Sequence, residues 1–359
     1  MKHLNRKFVV VAAVVLAMTS LGGCGKLKDT DIVATVGKDE ISAGVANFYA
    51  RLQQAQSETY YASYMGDDMW ATEVEKGTTF EDSVKKSTLE GLEDMYLLKQ
   101  HVSDYEIELT DEEKAKIEKA ADDFVEANTL ENKAVVSGEK KYVQEVLELM
   151  TIQNKMNAAM KTGVDEEVSD EEAAQKSMQY VLFSYSSTDE SGNAVTMSDD
   201  EKAAQLQAAK DFFAGIPDGD LSAAAAAAGI EVQTATFDSD STSPDADVIA
   251  AADAVEAEGG VTDVIDTDNG AYICKVTSFL DRGATDSKKG EIVEQRKTDQ
   301  YDSLLKGYRD DTDISVNKKN WKKISFVDQG VTMKQETEEP YATGADGTST
   351  SNDDESESE

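Results

Sequence analysis

Histidine and cysteine are almost absent from this chain, which carries two of each among 359 residues. His3 sits at the extreme N-terminus, so His101 is the one histidine in the body of the sequence. Without a second histidine or a free reactive thiol nearby, zinc hydrolysis and Ser-His or Cys-His catalysis have no base. Cys24 and Cys274 could close one disulfide at most and cannot make a cysteine metal site. Positive charge is also scarce: 35 Lys and Arg stand against 72 Asp and Glu, for a net charge of −37. Such a surface repels nucleic acid and anionic headgroups and favours solubility. No glycine-rich loop with phosphate-cradling spacing occurs. The apolar run Phe8 to Ala17 is too short to span a bilayer.

What is present begins with that run. Lys2, Arg6 and Lys7 precede it as a short positive region, the pattern of an export signal. It ends in Leu21-Gly22-Gly23-Cys24, which resembles the bacterial lipobox. Small residues let the signal peptidase reach the backbone, and a thiol is what takes the thioether-linked lipid. The resemblance implies a mature chain that begins at lipidated Cys24 and sits outside the cytoplasm on the cell membrane, because several acyl chains hold where one is marginal. Removing 1–23 takes the net charge from −37 to −40. With Cys24 lipidated, no intramolecular disulfide remains and stability must come from packing.

The mature length suggests two domains. The first opens with a strand over Ile32 to Val36, a turn at Gly37-Lys38-Asp39 and a helix from Ser42. Thr78 with Glu81 reads as a capping box before a second helix, whose stripe is Phe80, Val84, Leu92, Met95 and Val102. Thr110 with Glu113 starts a third helix, and Lys140 to Met160 reads as a fourth. Tyr60, Tyr61, Tyr64, Met65, Met69 and Trp70 crowd one segment; the plain expectation is packing cover, the sharper one a peptide-binding surface. After Gly163 the pattern changes to a short helix at Ser169 to Glu172 and a buried strand Met178 to Phe183. A helix capped by Ser198 and Glu201, an alanine helix Leu221 to Ala228, and a strand Glu231 to Phe237 follow. A helix at Asp247 to Val255 then leads to a hairpin around Asn269-Gly270. A long polar helix resumes after Asp281. Residues 328–359 lose periodicity and fill with acids and hydroxyls, which predicts a disordered tail.

Four segments together resemble the PrsA/SurA group of extracytoplasmic foldases: Val33 to Ile41, the order of elements between Met178 and Val276, the hairpin Asp266 to Ile273, and Val316 to Trp321. The resemblance implies an α+β protein: a helical chaperone domain built from both chain ends, with a small parvulin-like α/β domain inserted. The expected boundaries are 1–23 for the signal, 24–165 for the first helical part and 166–281 for the insert. A closing helix over 282–327 and the tail, 328–359, complete the chain.

The catalytic part of the resemblance departs from the family's pattern. Parvulins place two buried histidines beside an apolar prolyl pocket; here the corresponding positions carry Tyr180 and Tyr272. Leu182, Val248 and Asp253 fall where that pocket would be, and an unpaired aspartate there would be costly to bury. The resemblance therefore implies a chaperone whose insert lacks an intact isomerase site, acting on unfolded exported polypeptides without cofactor or metal. The alternatives are an active peptidyl-prolyl isomerase with an altered site and, from another class, a solute-binding lipoprotein. The latter needs two similar α/β lobes where the sequence offers one. The oligomeric state stays open, a homodimer among the options. The carboxylates read as solvated helix faces, His101 as a helix-end residue, and Asp238-Ser239-Asp240 as a loop and not a calcium site.

Overall fold

The computed structural model describes residues 27–333 apart from 67, 190 and 328, together with a two-residue strand at Val14–Val15. Cys24 and residues 334–359 lie outside the described residues. The chain divides into two compact units, one made of 1–160 with 302–359 and the other of 161–301.

The first unit opens with an antiparallel hairpin, β1 (Ile32–Val36) and β2 (Asp39–Ser42). Ser42 ends the strand and caps α1 (Ala43–Met65), its hydroxyl accepting from Val45 N at 3.3 Å. Small residues in the first turn of α1 let it approach α5 (Lys140–Met160): a Cβ on Gly44 would lie 2.3 Å from Cζ of Tyr142. A small hairpin, β3 (Glu73–Glu75) and β4 (Thr78–Thr79), leads into α2 (Phe80–Gln100). Its capping box is Thr79 with Asp82, one residue later than the sequence pattern suggested. The box expected at Thr110 and Glu113 does start α3 (Asp111–Ala127). Ile117, Ala121 and Phe124 are its buried stripe, and Phe124 meets Phe48 edge-on at 5.2 Å. A short helix that periodicity did not reveal, α4 (Leu130–Val136), intervenes before α5.

The second unit is a four-stranded antiparallel sheet with helices on both faces. The expected helix at Ser169 is only a turn, with Ser169 Oγ accepting from Glu172 N at 3.1 Å. The sheet's long strands are β5 (Lys176–Ser184) and, later, β10 (Gly270–Ser278). Between them come a hairpin of β6 (Ser186–Thr188) and β7 (Ala194–Thr196), α6 (Asp199–Ala214), α7 (Leu221–Ala228), β8 (Gln233–Phe237), α8 (Ala246–Asp253) and β9 (Ile265–Asp266). The strand order is β9-β10-β5-β8. Strand alternation splits the apolar residues in two. Met178, Tyr180, Tyr272, Cys274 and Val276 face α8, while Val181, Ala271 and Ile273 face Ala209, Leu221 and Ala225 of α6 and α7.

The insert was expected to end at 281, but the compact unit runs from 161 to 301. The cause is α9 (Arg282–Asp311), whose early turns are pinned by charge to the segment before β5. Arg282 and Lys289 both bond Asp170, and Arg296 Nη2 lies 2.6 Å from Glu172 Oε1. Lys297 Nζ lies 3.3 Å from Glu166. The last turns of α9 belong to the first unit, and β11 (Ile314–Val316) then adds to β1 antiparallel, giving the sheet order β11-β1-β2. The chain is thus an α+β protein whose helical unit is built from both chain ends around an inserted small α/β unit. After the short α10 (Lys318–Trp321), the tail expected from 328 does not begin there. Val331 is buried and Met333 packs on the core; Thr332–Met333 also form β12, whose pairing with Val14–Val15 belongs to the unprocessed chain. Averaging composition over the acidic stretch hid these apolar residues at its start.

Candidate functional site

The paired tyrosines lie side by side on the α8 face of the insert's sheet. Across β5 and β10 the register sets Tyr272 opposite Leu182 and Cys274 opposite Tyr180, so all four side chains share one face. The two phenol rings are 6.0 Å apart at 42°. Both are buried, at 8% exposure for Tyr180 and 4% for Tyr272. Tyr180 donates its hydroxyl proton to Gln233 Oε1 at 2.6 Å, so the contact belongs to the neighbouring strand and not to the second tyrosine. Burial raises the pKa of both phenols, helped by the nearby Cys274 and, for Tyr272, first by Asp245. Each therefore stays protonated at neutral pH and cannot serve as a general base. Burial likewise pushes the Cys274 thiol up to about 12, against the opposing hydrogen bond from Thr262.

Of the residues aligned with the prolyl pocket, Val248 is fully buried beneath the sheet with Ile249 and Ala252. Leu182 is half-buried at the edge of the same cluster. Asp253 is not in that cluster, which corrects the expectation of a buried charge. One residue past Ala252 turns it by about 100° around the helix, and its carboxylate pairs with Lys176 Nζ at 2.9 Å in solvent. A cavity of about 530 Å³ does exist in this unit, but its lining includes Ser177, Gln179, Thr234 and Thr236, which point to the other face of the sheet. It is lined largely by polar side chains on the sheet face opposite the tyrosines.

The Asp238 loop is held by its own hydrogen bonds. Burial opposes its charge, but bonds from Gln175 and Ser241 and the Lys288 ammonium outweigh that and hold Asp238 at about 2. His101 closes α2, its Nδ1 2.8 Å from Asp104 and its ring stacked on Tyr308 at 3.7 Å. Among the described residues no group of three or more His, Cys, Asp or Glu side chains converges as a metal site would. Nor is any helix among them long and apolar enough to cross a membrane.

In the helical unit, α1 changes character along its length. From Ala43 to Ala55 it is buried on most sides; its last turns present Tyr60, Tyr61 and Tyr64 to solvent at 68%, 50% and 88% exposure. Behind them lies an aromatic cluster. Tyr61 meets Phe80 edge-on at 6.0 Å, Trp70 stacks on Phe80 at 5.2 Å, and Phe326 meets Trp70 at 4.9 Å. Met69 and Trp70 are core, so the aromatic segment divides: its end is cover, and the tyrosines are surface.

Beside this cluster, α1 carries three polar residues the sequence reading passed over. Arg51, Gln54 and Glu58 recur at helical spacing on the face that holds the segment after α10. Arg51 Nη1 donates to Ser325 O at 2.9 Å, and Gln54 Nε2 donates to Gln329 O at 2.6 Å and Phe326 O at 3.2 Å. Glu58 accepts from Val331 N at 3.0 Å and from Trp70 Nε1 at 2.9 Å. From α2, Glu81 accepts from Phe326 N at 2.6 Å and Lys85 donates to Ile324 O. Glu81 is thus the residue expected in a capping box, spent instead on a distant backbone.

No family model matches the chain, and no curated protein matches it. Solved structures do. The chain is similar to the foldase protein PrsA of Lactococcus lactis at 15% identity and TM-score 0.32, over 82% of this chain and 99% of that one. It is similar to the peptidylprolyl isomerase PrsA of Bacillus cereus at 17% identity and TM-score 0.28, over 83% and 98%. A SurA-like chaperone of Campylobacter jejuni matches at 13% identity and TM-score 0.28, over 79% and 98%. These neighbours are PrsA- and SurA-type foldases.

Proposed function

We propose that this protein is a foldase or holdase of the cell envelope, held at the membrane through a lipid on Cys24 and acting on unfolded stretches of exported polypeptides. The observation that carries the reading is the exposure of Tyr60, Tyr61 and Tyr64 in a row at the end of a helix otherwise buried in the core. Amphipathic rings held in few rotamers give apolar contact area without demanding a sequence. A net charge of −40 on the mature chain keeps protein and captured client soluble.

The insert, in this reading, does not catalyse prolyl isomerisation. Its two tyrosines fill the sheet face where a proline would have to enter, and neither phenol is poised to move a proton. The deciding experiment runs two assays side by side on the purified mature protein. It is expected to suppress aggregation of a chemically unfolded client at stoichiometric ratios. It is not expected to accelerate exchange in a proline peptide, for which the spontaneous process takes tens to hundreds of seconds. Changing Tyr60 and Tyr64 together to serine, with Tyr61 kept for its contact with Phe80, should remove most of the suppression while leaving the circular dichroism melt nearly unchanged, since exposed substitutions away from packed contacts each cost within about 0.5 kcal/mol. Full suppression by that variant would sink the tyrosine surface. Rapid isomerisation by the wild type would make the protein an enzyme instead.

The anchor has its own test. Cys24→Ser should leave the chain either unprocessed or released from the membrane fraction, as read by blotting fractionated cells. Normally processed, membrane-bound Cys24→Ser protein would refute lipidation at that residue.

A further inference from the structure

The segment after α10 is held in an uncommon way. Buried backbone groups are usually satisfied by other backbone groups in helices and sheets. Here the carbonyls of Ile324, Ser325, Phe326 and Gln329 and the N–H groups of Phe326 and Val331 are met by side chains instead: Arg51, Gln54 and Glu58 from α1, and Glu81 and Lys85 from α2. The carbonyls of Phe326 and Gln329 converge on the one amide of Gln54, so the segment bends between them. Arg51 and Gln54 are also braced from within α1, independently of the segment: Arg51 donates from Nε to Asn47 Oδ1 at 3.2 Å and from Nη1 to Gln54 Oε1 at 2.6 Å. Main-chain recognition of this kind reads no sequence. The only side chains the groove asks for are apolar: Phe326 is received by Trp70 and by the Arg51 guanidinium at 5.9 Å, and Val331 is buried five residues on.

The groove is also continuous with the surface assigned to clients. Trp70, which receives Phe326, stacks on Phe80, and Phe80 meets Tyr61, whose neighbours Tyr60 and Tyr64 are exposed. A polypeptide lying on the tyrosines is one aromatic ring away from the Trp70 site. We propose that this groove is a second, tighter binding site for unfolded polypeptide. Its occupant would be a bent, non-helical stretch carrying an aromatic residue and, about five residues later, an aliphatic one, and residues Ser325–Met333 of this chain occupy it as a resident substitute.

The proposal rests on the foldase reading, and it adds a mechanism. A client must displace the resident segment, so its apparent affinity is the intrinsic affinity reduced by the fraction of time the groove stands open. Weakening the resident should strengthen the client. Phe326→Ala in the full mature chain removes the ring from the Trp70 site without touching the groove. Val331→Ser is a second, milder variant of the same kind.

The probe is a synthetic peptide copying residues 322–333, labelled at its N-terminus and followed by fluorescence anisotropy. Both variants are expected to bind it at least tenfold more tightly than wild type, and Arg51→Leu added to Phe326→Ala should abolish the gain. In wild type, saturating peptide should speed hydrogen exchange in residues 325–333 of the protein's own chain. If the variants are folded and bind no better than wild type, the segment is ordinary core and the proposal fails. It fails equally if both variants unfold, since a resident that cannot be loosened cannot be displaced. Aggregation suppression by wild type separates the two ideas. Suppression without any gain in peptide binding leaves the foldase reading standing and removes the groove. Tight peptide binding without suppression does the reverse.

Discussion

Arg309→Leu is expected to lower stability by about 3 kcal/mol, near the low end for breaking a buried ion pair because the arginine keeps some solvent. The guanidinium reaches from the last turn of α9 to two adjacent acids of α2. Nη1 lies 3.0 Å from Glu93 Oε2, Nη2 lies 2.7 Å from Asp94 Oδ1, and Nη2 also donates to Glu90 O at 3.0 Å. Glu93 is only 4% exposed, so leucine would leave a carboxylate in the core without its cation. At about 2–4 °C per kcal/mol for a unit of this size, the midpoint of thermal unfolding should fall by roughly 6–12 °C.

The pH dependence has a definite sign. Burial raises the pKa of both Glu93 and Asp94, against the hydrogen bonds and charge of Arg309, which lower them. A carboxyl whose folded value is raised binds its proton more tightly in the folded state. Its contribution is full below the ordinary carboxylate range and is lost as pH rises through the folded value. Removing Arg309 raises both values further, so the variant's deficit should be largest at neutral pH and shrink towards about pH 4. A deficit independent of pH, in melts followed by circular dichroism, would mean the arginine contributes packing and not charge.

The second large effect concerns where the ordered chain stops. Ending the protein at Val327 should cost about 2–4 kcal/mol. Roughly half of this comes from the burial of Val331 and the rest from the Gln329 carbonyl that Gln54 donates to. Ending it at Met333 should leave the melt unchanged, since the buried apolar side chains and the accepted carbonyl are all retained. Two truncations six residues apart should therefore differ by roughly 4–16 °C in midpoint. Equal midpoints would show that Gln329 and Val331 contribute nothing to the core.

The contrast shows which signals a sequence carries. Local ones were legible. Thr110 with Glu113 and Ser198 with Glu201 marked their helices, Lys140 to Met160 was found at its full length, and the hairpin before Gly270 formed where expected. Each is decided by residues three or four apart. The box at Thr78 failed because Thr79 and Asp82 satisfy the same pattern one step later. The helix Leu130–Val136 was missed because seven residues give too few turns for periodicity. Asp253 was misplaced by likeness to a pocket, where one step around a helix separates core from solvent. The clasp formed by Arg51, Gln54 and Glu58 could not have been read from the chain at all. Its partners lie some 270 residues away, and α1 carries other polar residues, Asn47, Gln53 and Gln56 among them, from which no local signal sets these three apart.

The pairing of Ile314–Val316 with Ile32–Val36 also imposes an order on folding. A chain delivered from its N-terminus presents β1 first, yet the strand that completes its sheet arrives only after the whole insert has passed. Bringing such distant partners together carries a loop-closure cost and slows the step that makes the contact. The insert, whose strands all lie within 161–301, is not bound by this delay and can condense while β1 still waits with one edge unpaired. An open strand edge beside uncovered apolar helices is the condition that invites aggregation. A protein of this topology therefore passes, once in its own life, through the state that it is proposed to manage in others.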